Sequence, residues 1–395
     1  MTEWIECTLD KLGEIVGGAT PSTKCEDYYG GSIPWITPKD LSSFKGRYIT
    51  SGERNITEKG LASCSAQMMP KDAVLFTSRA PIGYVAIASQ SVCTNQGFKS
   101  IVVNEKADPL FVYYLLKYNK DAIEAMGSGT TFKEVSGKTM RAVKVRIPLD
   151  VSYQKRIAAV LDSLDTKIEN NERINDNLEQ QAQSYFQELF VDNADPEWAI
   201  GTISDLGTIV GGSTPSKAKP EYYTESGIAW ITPKDLSINK SKFVSHGEND
   251  ITELGLKNSS AAIMPEGTVL FSSRAPIGYI AIATDEVTTN QGFKSVVPKP
   301  EIGTPFVYFF LKNTLPVIEG MASGSTFKEV SGSTMKNVPA VIPDAETLAK
   351  FSDFCAPIFA QQRILEEQNQ SLATLRDNLL PKLMSGEIDV SAVQL

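Results

Sequence analysis

Over roughly the first 150 positions, apolar and β-branched residues come in short runs broken by Gly, Pro and Asn. AVLFTSRA at 73–80, YVAIASQSV at 84–92 and KSIVVNE at 99–105 are the clearest. Runs of this length and punctuation predict strands. PLFVYYLLKYN at 109–119 carries a broad apolar face and predicts a helix. From about Ser152 to Phe190 the pattern changes. Leu161, Leu164, Ile168, Asn171, Asn175, Leu178, Ala182, Tyr185 and Leu189 recur in steps of three and four. That is a heptad seam. A helix of ~39 residues is roughly 58 Å long, too long to be buried in one small domain. Asp192–Pro196 holds helix breakers that end it. A second such helix closes the chain, with Ile358, Leu365, Leu372 and Leu379 seven apart and Gln368 and Leu375 on the intervening position. Pro381 is expected to interrupt it, and Gly386 follows.

The strand-rich pattern occurs twice. WITPKDL at 35–41 returns at 230–236, a period of 195 residues. FTSRAPIGYVAIA at 76–88 returns as FSSRAPIGYIAIA at 271–283, and TNQGFKS at 94–100 returns at 289–295. SGTTFKEVSGKTM at 128–140 returns as SGSTFKEVSGSTM at 323–335. The period far exceeds the ~20–50 residues of a solenoid repeat and has the size of a domain plus a connector. The expected architecture is α+β: pseudo-repeated strand-rich domains at 1–150 and 196–345, and long helices at 151–195 and 346–395. A two-fold relation between the copies makes the helices an antiparallel coiled coil. Asn171, Asn175 and Gln368 on the seam weaken it but fix its register.

The net charge of −9 argues against a wholly basic nucleic-acid binder. Local charge differs. Lys39, Arg79, Lys99, Lys133, Lys138, Arg141, Lys144 and Arg146 fall in the repeated segments of the first copy, and Lys234, Arg274, Lys294, Lys328 and Lys336 in those of the second. The five cysteines form no CxxC pair. Cys7, Cys64 and Cys93 align with Gly201, Ser259 and Thr288, so a cysteine-ligated metal site shared by both copies is not expected, and reduced structural thiols are. No run approaches the ~20 apolar residues of a membrane span, and the first ten residues lack a signal-peptide pattern. A cytoplasmic protein without membrane partners is expected.

Four repeated motifs offer chemistry. The Ser-Gly-Thr-Thr-Phe-Lys loop, with Thr131 and Lys133 and their twins Thr326 and Lys328, supplies hydroxyls and a cation suited to phosphate oxygens and base edges; a plain turn is the competing reading. Ser78-Arg79 and Ser273-Arg274, each followed by Ala-Pro-Ile-Gly, place an arginine at a strand end, for phosphate, guanine or an internal ion pair. Asn95-Gln96 with Lys99, and Asn290-Gln291 with Lys294, suit adenine or a backbone-satisfying turn. Lys39 and Lys234 follow Thr-Pro on an expected strand edge, before Asp40 and Asp235, for which no partner is evident. Ser136-Gly137-Lys138-Thr139 lacks the upstream glycine of a Walker A loop. His246 aligns with Ser51 and is no shared base. No GxSxG elbow, HExxH or paired carboxylates stand out, so neither copy looks like an enzyme.

The ordered set GG-x-TPS, WITPKDL, TNQGF, SGT/SGS-TFKEVS, Ile147-Pro148 to Gln154 and a long helix, twice over, resembles the specificity subunit of type I restriction–modification enzymes. LLPKLMSG at 379–386 resembles that family's C-terminal end. The resemblance implies two target-recognition domains, each reading half of a bipartite, nearly palindromic site in double-stranded DNA. It implies spacer helices that dock two methyltransferase subunits and, through the complex, restriction subunits. It implies no catalysis and no cofactor of its own, S-adenosylmethionine belonging to the methyltransferase. The second helix entry, Ile342-Pro343 to Lys350, departs from this pattern in lacking the glutamine. A two-headed protein- or glycan-binding adaptor on a coiled-coil strut remains the alternative.

Overall fold

The computed structural model describes residues 3–79, 81–129, 133–324 and 328–393. The chain forms two compact units, one of residues 1–169 with 370–395 and one of residues 170–369. Both long helices are therefore divided between the units.

In the first unit, a five-stranded sheet has the order Gly13–Gly17, Lys99–Val103, Val74–Ser78, Ile82–Ala88, Tyr48–Ile49. It is antiparallel except for its last pair. Arg54–Ile56, Tyr29–Ile36 and Cys93–Thr94 make a second sheet, and Trp4–Thr8 pairs antiparallel with Lys144–Pro148. The expected strands are thus present, and the expected helix is Pro109–Tyr118. Its start follows from Asp108, whose carboxylate accepts from Phe111 N at 3.0 Å, and from proline at the first helical position, where no N–H is needed. Phe111, Val112 and Leu115 pack with Phe76, Ile101 and Leu161 in one core.

The second unit repeats the sheet order with Gly207–Gly211, Lys294–Pro298, Val269–Ser273, Ile277–Ala283 and Phe243–Val244. Ala199–Thr202 pairs with Pro339–Ile342. Helix Thr304–Gly320 packs Phe306, Val307 and Phe309 against Phe271 and Val296.

The first long helix is Val151–Gln187, followed by a π-helical turn Glu188–Asp192; the last is Ala345–Ser385. It runs through Pro381, so the expected interruption there is absent. Within the second unit the two helices run antiparallel. Asn171 Nδ2 donates to Asn369 Oδ1 at 2.9 Å, Gln362 Nε2 donates to Asn175 O at 3.2 Å, and the rings of Tyr185 and Phe354 lie 4.5 Å apart. Within the first unit, Arg376 reaches Asp165 at 2.7 Å, and Leu161 shares a core with Leu383 and Met384.

The seam differs in phase from the expectation. Leu161, Ile358 and Leu365 are buried, and Ile168, Leu178, Leu372 and Leu379 are half-buried. Leu375, expected on the seam, is 46% exposed. Leu164 is half-buried while its neighbour Asp165 is buried, and Phe186 rather than Tyr185 takes the deepest position. The seam follows charged residues that a heptad of leucines passes over, because each finds a partner. Asp165 accepts from Tyr114 Oη at 2.7 Å as well as from Arg376. Glu179 pairs with Lys242 at 2.8 Å and with Lys312.

One position in each copy ties the sheet to a helix. Arg47, just before the edge strand Tyr48–Ile49, reaches Asp162 and Glu169 at 3.1 Å each. Lys242, just before Phe243–Val244, reaches Glu179 at 2.8 Å and Gln362 Oε1 at 2.9 Å, and lies 3.5 Å from the Phe359 ring centroid. Burial lowers the Lys242 ammonium to about 8 despite Glu179. Burial pushes the Glu179 carboxyl up, but Lys242 and Lys312 outweigh it and hold it below the usual range.

Gln154 is fully buried. Its amide donates to Pro148 O at 2.9 Å and Lys106 O at 3.2 Å and accepts from Asp108 N at 3.0 Å. The glutamine at the helix entry thus satisfies backbone groups inside the unit and is not available for docking.

Candidate nucleic-acid interface

The repeated motifs converge on the same part of each unit because sheet order brings their ends together. Strand Val74–Ser78 ends at Arg79, which forms a β-bridge with Glu134 of the KEVS segment. The TNQGF turn lies alongside: Thr77 bridges Phe98, and Ser78 N donates to Gly97 O at 2.7 Å. In the second unit Arg274 bridges Glu329, Ser272 bridges Phe293, and Ser273 N donates to Gly292 O at 2.7 Å.

This geometry gathers a cationic cluster around one carboxylate. Arg79 Nη1 and Lys99 Nζ each lie 3.7 Å from a Glu134 oxygen. Arg274 and Lys294 lie 3.5 Å and 3.8 Å from Glu329. Lys294 is held below the usual lysine range by burial; Glu329 offsets this in part and Arg274 adds to it. Lys133, Lys138 and Lys328 are exposed beside these clusters. Thr131 and Thr326 lie outside the described residues.

Ser78 and Ser273 do not belong to the exposed face. Both are fully buried, and their hydroxyls donate to Gly97 O at 3.2 Å and Gly292 O at 3.1 Å. They sit on the inward side of a central strand, and their polarity is spent on the neighbouring turn. The Asn95 and Asn290 side chains close Asx turns by accepting from Gly97 N and Gly292 N at 2.8 Å. Gln96 and Gln291 are exposed, their carboxamide oxygens accepting from the hydroxyls of Thr20 and Thr214.

Lys39 and Lys234 are exposed but paired, to Glu53 at 2.7 Å and Glu248 at 2.6 Å. The motif around them has a structural cause that the spacing alone carried. In Thr37-Pro38-Lys39-Asp40, Thr37 caps the helix Pro38–Ser42, proline takes its first position, and Asp40 completes a capping box. Asp40 Oδ2 accepts from Thr37 N and Oγ1 at 2.7 Å each, and Oδ1 from Glu53 N at 2.8 Å. Asp235 does the same with Thr232 and Glu248. In the second unit this helix start, Gln291, Trp230 and Thr214 line a polar notch of about 380 Å³. Ser136 likewise caps the helix Gly137–Ala142, which accounts for the Ser-Gly-Lys-Thr sequence without a nucleotide.

Among the described residues no group of three or more His, Cys, Asp or Glu could hold a metal ion, and no helix is long and apolar enough to cross a membrane. All five cysteines are free thiols. His246 is exposed, with Nδ1 2.9 Å from Gly247 O.

The family model described as "Type I restriction modification DNA specificity domain" matches this chain twice, over residues 1–180 and 196–375. The type I restriction enzyme MjaIX specificity subunit of Methanocaldococcus jannaschii is 31% identical, covering 98% of this chain and 94% of the relative. The HindI specificity subunit of Haemophilus influenzae is 24% identical, covering 73% of this chain and 80% of the relative. Among solved structures, the type I restriction–modification S subunit from M. genitalium superposes with a TM-score of 0.62 at 18% identity, covering 97% of this chain and 96% of that one, and shares the fold. Two tandem matches to one family model, near-complete coverage of a relative and the duplicated α+β units agree: the chain belongs to the type I restriction–modification DNA specificity family.

Proposed function

We propose that this chain is the non-catalytic DNA-reading subunit of a type I restriction–modification complex. Each unit reads one half of a bipartite duplex site. The observation that carries the reading is the same cationic cluster in both units: half-buried Arg79 and Lys99 beside exposed Lys133 in one, half-buried Arg274 and Lys294 beside exposed Lys328 in the other. Arginine and lysine beside exposed Gln96 or Gln291 suit phosphates and base edges together. Near-identity of the two faces calls for half-sites of nearly the same sequence. With one copy of the repeat for each half, inverted halves are expected, with centres about one helical turn apart. The long helices dock two methyltransferase subunits, which bind S-adenosylmethionine and recruit the restriction subunits. With a net charge of −9, the partners supply much of the phosphate contact.

Methylation mapping identifies the site, and the assembled complex is then tested on that duplex. Alanine at Arg79, Lys99 and Lys133 together lowers affinity. Each lost phosphate contact reduces the salt slope by about one unit, and each lost base contact costs ~1–3 kcal/mol. Unchanged DNA affinity would refute the assignment. Leu178→Asp or Leu372→Asp puts a charge on the half-buried helix seam and abolishes co-purification with the methyltransferase. Normal co-purification argues against docking through the helices.

A further inference from the structure

An acidic residue at the centre of a DNA-facing cluster works against phosphate attraction, yet Glu134 and Glu329 recur at the same place in both units. Each carboxylate lies between two cations without closing a short hydrogen bond to either. Lys39 and Glu53, a neutralising pair on the same surface, close to 2.7 Å. The four contacts to Glu134 and Glu329 stand at 3.5–3.8 Å, beyond hydrogen-bonding range. Their carboxylate oxygens therefore keep acceptor capacity, and the side chains remain about 40% exposed.

The backbone beneath them is fixed. Glu134 N donates to Ser128 O at 2.9 Å, Ser128 N to Glu134 O at 3.0 Å, and Val135 N to Ser78 O at 2.9 Å, with Val135 fully buried. Glu329 is held the same way by Ser323, and Val330 by Ser273. Each carboxylate is thus carried on rigid backbone, flanked by two cations that offset its repulsion from phosphate. Carboxylates read bases by accepting from exocyclic amino groups, cytosine N4 above all.

Resting on the DNA-reading function proposed above, we propose that Glu134 and Glu329 are specificity-determining residues. Each accepts a hydrogen bond from an exocyclic amino group, cytosine N4 or adenine N6, in its half-site. Arg79 with Lys99, and Arg274 with Lys294, position the carboxylate and bind the flanking backbone. The near-identical settings assign the same kind of amino group to both halves.

The test uses the assembled complex and its mapped site, with wild type, Glu134→Gln, Glu329→Gln and the double variant. Glutamine keeps the shape but loses one carboxylate oxygen. Co-purification of each variant with the methyltransferase checks folding. Each single variant should weaken cognate binding ~5–150-fold, while binding to random duplex stays equal or tightens. Duplexes carrying 2-pyrimidinone for one cytosine, or 2-aminopurine for one adenine, remove one major-groove amino group at a time. At one position per half-site the analogue should weaken the wild type by a similar factor and leave the matching variant unaffected. Which analogue does so tells cytosine from adenine. Equal gains on cognate and random duplex would reduce the glutamates to charge screens and overturn the proposal, as would an analogue series in which no position couples to them. A wild-type complex that does not prefer the mapped site would instead sink the DNA-reading function itself.

Discussion

Glu179→Gln probes the buried cluster that ties the second unit's sheet to its helix. Glu179 pairs with Lys242 at 2.8 Å and with Lys312, and accepts from Tyr308 Oη at 3.1 Å. Removing one partner from a buried pair costs ~3–5 kcal/mol when the other must stay charged. Lys242 has an escape, because its folded pKa is already about 8. At pH 7 losing that proton costs ~1.4 kcal/mol, one pKa unit, which caps its share of the loss. The weakened bonds to Tyr308 and Lys312 add ~1–2 kcal/mol. The deficit at pH 7 is therefore ~3 kcal/mol. Its pH dependence follows from the sign of the Lys242 shift. In the wild type the folded pKa lies below the unfolded 10.5, so Lys242 makes stability rise with pH between about 8 and 10.5. In the variant the folded pKa drops further and that rise begins at lower pH. The gap between the proteins is then largest in mild acid, shrinks by up to ~1.4 kcal/mol per unit as pH approaches 8, and levels off above it. Hydrogen exchange of the helix Thr304–Gly320 reads this locally, avoiding a global transition in a two-unit chain. A deficit unchanged between pH 6 and 9, or one below ~1 kcal/mol, would refute the reasoning.

Arg376→Met strips Asp165 of the cation at 2.7 Å, leaving the Tyr114 hydroxyl and the more distant Lys117 charge, and should cost the first unit up to ~3–5 kcal/mol; adding Asp165→Asn should recover much of it in the same exchange measurement. Asp40→Ala and Asp235→Ala each remove a capping box and a cross-loop acceptor, and should lower local stability by ~1–2 kcal/mol; equal protection of the following helix would contradict this. Burial pushes the Cys93 and Cys355 thiols up to about 12. A disulfide reagent at pH 8 should therefore leave both unmodified in the folded chain and label them after denaturation.

Duplication and strand runs were legible because they are local. AVLFTSRA contains the strand Val74–Ser78, and KSIVVNE contains Lys99–Val103. The phase of the helix seam was not legible. A heptad drawn through leucines selects Leu164 and Leu375, whereas Asp165, Glu179 and Gln362 are the inward residues, each satisfied by a residue distant in sequence. The same limit applied to Arg47 and Lys242, whose nearest charged or polar side-chain partners lie at least 63 residues away in sequence. At the candidate interface the cations were legible as repeated residues. Nothing in the sequence marks Glu134 and Glu329, because only the folded sheet places them between those cations. Thr-Pro-Lys-Asp carried a helix-start signature in its spacing, and so could have been recognised from the sequence.

The first unit is discontinuous, and this sets an order on synthesis. Leu383, Met384 and Val390 belong to the same core as Leu161 and Phe111, while residues 170–369 form the other unit as an uninterrupted stretch. A ribosome makes the body of the first unit early but delivers these three core residues only after the whole second unit has emerged. Until then the apolar side of helix Val151–Gln187 that faces Leu383 stands uncovered. The unit synthesised first is thus the one completed last, and the nascent chain carries exposed core through roughly half of its elongation.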